Sequence, residues 1–250
     1  MINSGREWDW MNRDERKVIA IIPARWASTR LPGKPLADIN GKTMIQWVYE
    51  AVKKSNADKV IVATDHIDIF NEVEKFGGEA VMTNSNHQTG TERVLEAYKQ
   101  YKDDYYYVIN VQGDEPIINE TDINRIIVQL KTEPTMIATM VGALTKSQAT
   151  DRNTVKAIID NGNIAMFSRS PVFYSSVNIK RHIGIYGFSK PMTERIDKNV
   201  MIETSNEIVE NLEQIRWGDN NIGFTYIYAA GLYKGIDTQK DLNKVRTYLN

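Results

Sequence analysis

The sequence predicts an α/β fold: a mainly parallel mixed sheet flanked by helices, with a protruding arm over about residues 168–215. Three observations carry this. In the first half, apolar runs without alternation, such as Val60-Ile-Val-Ala-Thr64 and Met136-Ile-Ala-Thr-Met-Val141, read as strands buried on both faces. Stretches of helical spacing separate them. In the second half the rhythm changes to a hairpin signal, where Asp160-Asn-Gly-Asn163 joins two apolar runs and Asn-Gly supplies the positive φ of a tight turn.

Taken in order, Ile19 to Pro23 is a buried strand, Asp38-Ile-Asn-Gly41 a turn, and Met44 to Lys54 a helix with apolar residues at 44, 45, 47, 48, 51 and 52. Strand Val60–Thr64 leads through Asp65-His66 into a helix from Ile67 to Phe76, closed by Gly77-Gly78. Glu79–Thr83 is a short strand, and Thr89 or Thr91 caps a helix reaching Tyr98. Tyr105–Val111 is β-rich, Thr121–Leu130 helical, Met136–Val141 a strand, and Val155–Ile159 with Ile164–Ser168 the hairpin. His182–Phe188 follows as a strand. Asn206–Trp217 reads as one amphipathic helix with Ile208, Val209, Leu212 and Ile215 inward, and Ile222–Ala230 as a strand. Thr238-Gln-Lys-Asp241 opens the last helix as a capping box with Asp at its third position. No Pro/Gly/Ser-rich boundary divides the 250 residues, so a single domain is expected over 18–250. The polar stretch 1–17 precedes it as an extension whose order the sequence leaves open.

Composition excludes several classes of function. Lys plus Arg (31) nearly balances Asp plus Glu (32), which argues against a protein devoted to nucleic acid or an anionic membrane. Without cysteine there is no thiol nucleophile, disulfide or Cys-type zinc site, and three histidines are few for a His-built centre. A hard, carboxylate-bound cation is the metal class left. No apolar run approaches the ~20 residues of a membrane span and no signal-peptide core is present, so a cytoplasmic location is expected.

The first strand empties into Arg25-Trp-Ala-Ser-Thr-Arg-Leu-Pro-Gly-Lys34. Cations, hydroxyls and backbone N–H groups in a proline-stiffened loop at a strand end suit a polyphosphate, although scattered solvated charges would leave a similar pattern. Two further carboxylates follow strands: Asp114 in Gln112-Gly-Asp-Glu-Pro116 and Asp237 in Gly235-Ile-Asp-Thr238. Either alone reads equally well as a turn former or helix cap. Together with a polyphosphate loop they form a coherent Mg²⁺ site, because this ion takes few carboxylates and completes its shell with phosphate and water. No Gly-x-Gly-x-x-Gly follows the first strand, which argues against a dinucleotide-binding oxidoreductase.

Seven stretches in order complete the pattern: Ile22-Pro-Ala-Arg-Trp-Ala-Ser-Thr-Arg-Leu-Pro-Gly-Lys-Pro-Leu36, Val62-Ala-Thr-Asp-His66, Thr89-Gly-Thr-Glu-Arg93, Asn110-Val-Gln-Gly-Asp-Glu-Pro116, Arg181-His-Ile-Gly-Ile-Tyr-Gly187, Leu212-Glu-Gln-Ile-Arg216 and Gly235-Ile-Asp-Thr238. Over roughly residues 18–247 the chain resembles the 3-deoxy-manno-octulosonate (Kdo) cytidylyltransferases, or CMP-Kdo synthetases. The resemblance implies a nucleotide-diphospho-sugar transferase fold, a homodimer contacting through the arm, Mg²⁺ dependence and a place in lipopolysaccharide biosynthesis. The implied enzyme joins CTP to the anomeric hydroxyl of an acidic eight-carbon sugar, releasing pyrophosphate. By position it assigns Arg25, Ser28 and Lys34 to the CTP phosphates, and Ala24, Thr83 and Gln112 to the neighbourhood of cytidine and sugar. Asp114 and Asp237 match magnesium ligands, and Arg169, His182, Tyr186, Glu213 and Gln214 match sugar-site positions. A sugar-carboxylate donor is the role expected of His182, ahead of a general base.

The departures lie on the sugar side. Ser170-Pro-Val-Phe-Tyr174 is followed almost at once by Arg181-His182, a shorter arm than the family pattern, and Ala230-Gly-Leu-Tyr-Lys-Gly235 differs from the usual approach to Asp237. The alternatives are therefore another acidic sugar, amino-Kdo or sialic-acid-like, or a CTP-binding relative without turnover.

Overall fold

The computed structural model describes residues 15–28, 30–173, 178–199, 203–231, 233 and 235–249. Residues 1–14, Thr29 and Tyr174, on which the expected extension, basic loop and arm partly rest, lie outside them.

The first half runs β1 (Val18–Ala24), a 3-10 turn (Lys34–Leu36), the small hairpin β2 (Asp38–Ile39) and β3 (Lys42–Thr43), α1 (Met44–Lys53), β4 (Lys59–Thr64), α2 (Ile67–Lys75), β5 (Ala80–Met82), α3 (Gly90–Tyr98), β6 (Tyr107–Asn110) and α4 (Glu120–Thr132). The second half runs β7 (Ile137–Gly142), α5 (Lys146–Thr150), β8 (Lys156–Asp160), β9 (Asn163–Ser168), β10 (Ile179–Ser189), α6 (Lys190–Asn199), α7 (Ser205–Glu210), α8 (Glu213–Asp219), β11 (Phe224–Tyr228) and α9 (Gln239–Tyr248). Among the described residues one mixed sheet orders its strands β5-β4-β1-β6-β10-β7-β11-β9-β8. Pairs β5/β4, β4/β1, β1/β6 and β7/β11 are parallel, while β10 runs antiparallel to β6 and β7.

Strand β1 explains why the fold is layered. Val18, Ala20, Ile22 and Ala24 pack into a core under α1 and α4, while Ile19 and Ile21 pack oppositely with Val94, Leu95 and Ala97 of α3 and Met192 and Ile196 of α6. A continuous apolar run is required because neither face meets water. A smaller core of Ile39, Met44, Ile236, Leu242 and Val245 fastens α9, capped by Thr238 and Asp241 as expected. The Asn-Gly hairpin forms with φ of 46° at Asn161 and 81° at Gly162.

Two expectations need correction. The single helix over 206–217 is broken at Asn211, whose left-handed φ of 52° ends α7 and re-aims the chain into α8. Consequently Ile208 and Val209 are 64% and 78% exposed instead of inward. The stretch 168–215 also divides: β10 lies between β6 and β7 and buries Ile183, Ile185 and Phe188, so only segments on either side of it leave the sheet. No helix among the described residues is long and apolar enough to cross a membrane.

Candidate active site

Two cavities meet above the carboxyl ends of β1 and β6, the edge where open α/β sheets place ligands. The smaller, about 230 Å³, is lined by Ala24, Arg25, Ser28, Arg30, Lys34 and Asp114 among others. The larger, about 1150 Å³, is lined by Arg169, Arg181, His182, Tyr186, Glu213 and Gln214 among others. Gln112 and Asp237 belong to both walls, so they mark the junction.

The small cavity is built on the loop after β1. Gly33, at φ 65°, turns the chain so that the 3-10 turn begins with Lys34 and buried Pro35. Trp26 fixes the other end: its indole stacks on His66 at 3.9 Å between ring centroids, and its backbone N–H donates to Asp65. The second oxygen of Asp65 accepts from buried Arg93, which also donates to Thr83. Thr83 donates in turn to the Thr64 carbonyl, so it sits behind Arg93 and supports the wall from beneath without lining either cavity.

Lys34 joins the predicted carboxylates. Its ammonium donates to Asp114 Oδ2 at 2.7 Å and to the Ile236 carbonyl at 2.9 Å, with Asp237 Oδ1 at 3.5 Å. Arg30 reaches the same Asp237 oxygen at 3.0 Å. A backbone bond from Ile236 N–H to the Asp114 carbonyl ties the two loops together, although they are far apart in sequence. Gly113 is required beneath them, because a Cβ there would lie 2.8 Å from the Pro23 carbonyl oxygen. Two carboxylates converging on one cation are chemically suited to a divalent metal whose remaining positions a polyphosphate would fill. Among the described residues no group of three or more acidic, His or Cys side chains is placed to hold a metal ion by itself.

In the large cavity His182 is held by polar partners on both ring nitrogens. The Thr139 hydroxyl donates to the Ile185 carbonyl, so its oxygen accepts from His182 Nε2–H at 2.9 Å. His182 Nδ1 is then the acceptor facing Gln214 Nε2 at 3.4 Å. Burial, then repulsion from Arg169 and Arg181, pushes the imidazole down to about 3. A neutral ring whose one N–H goes to Thr139 has none left for a sugar carboxylate, so the expected donor role of His182 does not fit. A donor is available in Arg169, whose Nη1 donates to the carbonyls of Arg152 and Asn153 while its buried Nε has no partner among the described residues. Tyr186 packs edge-on against Trp217, and burial raises its phenol well above the ordinary range. Burial likewise lifts Glu213 to about 7, opposed by its hydrogen bonds from Thr91 and Thr89.

Several structurally important residues were not singled out beforehand. Arg181, half-buried and donating to the Tyr233 carbonyl, adds a second guanidinium to the large cavity. Fully buried Asp122 accepts from Ala230 N–H, Gly231 N–H and the Tyr233 hydroxyl, anchoring the loop that delivers Asp237. Arg93 and Arg181 fall inside conspicuous motifs. Asp122 sits in a helix whose pattern hides it.

The arrangement is that of a nucleotidyltransferase: a basic loop and paired carboxylates on one side of a junction, a guanidinium-rich pocket on the other. A cytidylyltransferase family model matches residues 19–230. The 3-deoxy-manno-octulosonate cytidylyltransferase of Fusobacterium nucleatum is 41% identical over 240 residues, covering 93% of this chain and 97% of that protein. Its Escherichia coli counterpart is 36% identical, with 93% and 96% covered. A solved CMP:2-keto-3-deoxy-manno-octonic acid synthetase complexed with CTP superposes with a TM-score of 0.86 at 35% identity, covering 93% of this chain and 98% of that one. The chain belongs to the 3-deoxy-manno-octulosonate cytidylyltransferase family. A thymidylyltransferase structure from Bacillus anthracis, at 14% identity and a TM-score of 0.70, shares the fold.

Proposed function

We propose that the protein is a CTP:Kdo cytidylyltransferase. The anomeric hydroxyl oxygen of the sugar attacks the α-phosphorus of CTP and the bond to the bridging oxygen of the β-phosphate breaks. Pyrophosphate leaves with that electron pair, and the hydroxyl proton passes to solvent. The observation that carries this is the convergence of Asp114 and Asp237 on Lys34 at the junction of the two cavities.

Arg25, Ser28 and Lys34 bind the triphosphate, and charge collecting on the phosphoryl oxygens and the departing pyrophosphate is met by their fixed donors. Ala24 lies against the nucleotide and Gln112 where nucleotide and sugar meet. Asp114 and Asp237 would hold Mg²⁺, which supplies charge neutralisation on the phosphates. Arg169, whose Nε has no partner among the described residues, takes the sugar carboxylate; Gln214, Tyr186 and Glu213 take hydroxyls, and His182 orients Gln214. No protein nucleophile is needed, because the sugar supplies one.

We assign the exposed apolar surface beside the large cavity to a second copy of the chain. Met166 and Val209 line a further hollow of about 720 Å³, and Ile208 stands beside Val209 on α7. In sedimentation the protein is expected to run as a dimer, and Val209→Glu to shift it towards monomer; an unchanged distribution would remove this surface from the interface. Use of CTP is consistent with a cytoplasmic location.

Activity is tested by pyrophosphate release from purified protein with CTP, Mg²⁺ and a panel of 3-deoxy-ulosonic acids that includes Kdo, an amino-substituted analogue and a sialic acid. Kdo is expected to turn over fastest. Preference for another acid would redefine the pocket, and silence across the panel would sink the assignment.

A further inference from the structure

Gln112 lies where the two cavities join, and its side chain is not free to turn. Its amide Nε2–H donates to Asn110 Oδ1 at 3.1 Å. Asn110, at the end of β6 and completely buried, donates through Nδ2 to the Thr91 hydroxyl oxygen at 3.2 Å. Thr91, 1% exposed near the start of α3, gives its only hydroxyl hydrogen to Glu213 Oε1 at 2.8 Å. Every donor therefore points the same way, from Gln112 towards Glu213.

Polarity in such a chain is set at its end. With Glu213 ionised its Oε1 can only accept, so Thr91 Oγ1 donates to it and itself accepts from Asn110. Asn110 then presents its nitrogen to Thr91 and its oxygen to Gln112. Turning the Gln112 amide over would set two carbonyl oxygens against each other, Gln112 Oε1 on Asn110 Oδ1, inside a buried network where an unmade bond is costly. Gln112 Oε1 is thereby left without a protein partner among the described residues, beside Gly90, where an added Cβ would come within 3.2 Å of it. Gly90 also lines both cavities.

We infer that Asn110 and Thr91 are positioning residues: with the Glu213 carboxyl they form a one-way hydrogen-bond chain that holds the Gln112 amide with its oxygen open to the junction. A substrate group placed there must donate, so the junction reads a hydroxyl and rejects a bare carbonyl or ether oxygen. The chain also links the two halves of the site, since Glu213 belongs to the sugar wall and Gln112 to both. This inference rests on the placement of Gln112 at the meeting point of nucleotide and sugar.

A double-mutant cycle tests it with steady-state kinetics for CTP and Kdo. Gln112→Met removes the oriented amide, and Asn110→Leu removes its anchor with little change of volume. Each single change is expected to lower kcat/KM by about tenfold, the worth of one well-made hydrogen bond. The double variant is expected to be no worse than Gln112→Met alone, because Asn110 acts only through Gln112. Additive losses would overturn the inference. Normal kinetics in Gln112→Met would instead remove Gln112 from the junction, a separate failure. A second arm avoids dependence on the Asn110 variant folding: Thr91→Val is expected to show the same loss and Thr91→Ser, which keeps the hydroxyl, to restore most of it. Equal activity in the valine and serine variants would overturn the chain.

Discussion

Two titratable residues that line the large cavity oppose each other. Glu213 is raised from an ordinary 4.5 to about 7, so between those values the folded protein holds a proton that the unfolded chain has released. Its contribution to stability is full below pH 4.5 and is lost as pH rises through about 7. His182, lowered from 6.5 to about 3, does the reverse: its contribution is present above pH 6.5 and is lost as pH falls through about 3. From pH 4.5 to 6.5 the two slopes nearly cancel in the parent. Glu213→Gln removes one of them, so its stability relative to the parent is expected to rise across pH 4.5–7 by on the order of 3 kcal/mol. Denaturant titrations at several pH values check this, and a constant difference would contradict it. Asp237 behaves differently, being half exposed and, among the described residues, paired with the cations Arg30 and Lys34. Asp237→Asn is expected to leave the thermal midpoint within a few degrees of the parent while kcat/KM falls by roughly 100-fold or more. Normal turnover would make Asp237 merely the residue before a cap.

At the scale of elements, Asn211 has the largest consequence for the site. Its left-handed conformation separates α7 from α8 and sets the direction in which Glu213 and Gln214 enter the cavity. The buried pair of Glu207 and Arg216, bonded at 2.6 Å through the guanidinium Nε and Nη2, then clamps the two helices. Asn211→Ala is expected to destabilise the protein by about 1–2 kcal/mol, while Asn211→Gly stays near the parent, because only a residue with a β-carbon and no local polar compensation is penalised there. Equal midpoints for the two variants would show that the break carries no strain. This is also where the reading of the sequence failed. Ile208, Val209, Leu212 and Ile215 keep helical spacing across the break, and asparagine is compatible with both a helix and its end. Alternation of strand and helix was legible where strands are buried on both faces, as in β1, β4 and β7. Helix α6, with Met192 and Ile196 as its buried apolar residues, carried too little pattern to be seen.

For the whole molecule, the two sides of the site differ in how much the chain reveals locally. The side proposed for phosphate is concentrated in one loop plus Asp114 and Asp237, so residue types alone suggested its chemistry. The sugar side is assembled from the end of β9, from β10 and from α8, and only resemblance brought Arg169, His182, Tyr186, Glu213 and Gln214 together. Even then, the neutrality of His182 follows first from its burial and then from Arg169, which reaches it from another segment, and from its strand neighbour Arg181, while Thr139 of β7 takes its N–H. No periodicity encodes such an encounter.

Under the proposed function, the bridge from Lys34 to Asp114 and Asp237 would also set the sequence of binding events. Without nucleotide, the acidic pair is already neutralised by Lys34 and Arg30, so a divalent ion arriving alone must displace two cations and gains little. Arrival of a triphosphate gives both cations new anionic partners and releases the carboxylates, which makes the ion and the nucleotide each strengthen the other's binding by the same factor. Calorimetry is expected to show weak Mg²⁺ binding to the protein alone and at least about a tenfold gain when CTP is present, beyond the affinity of the ion for CTP itself. In Lys34→Ala the solitary ion is expected to bind more tightly and the mutual gain to shrink. Under the proposed function Lys34 is a placeholder: it would keep Asp114 and Asp237 out of use until the substrate that needs them has arrived.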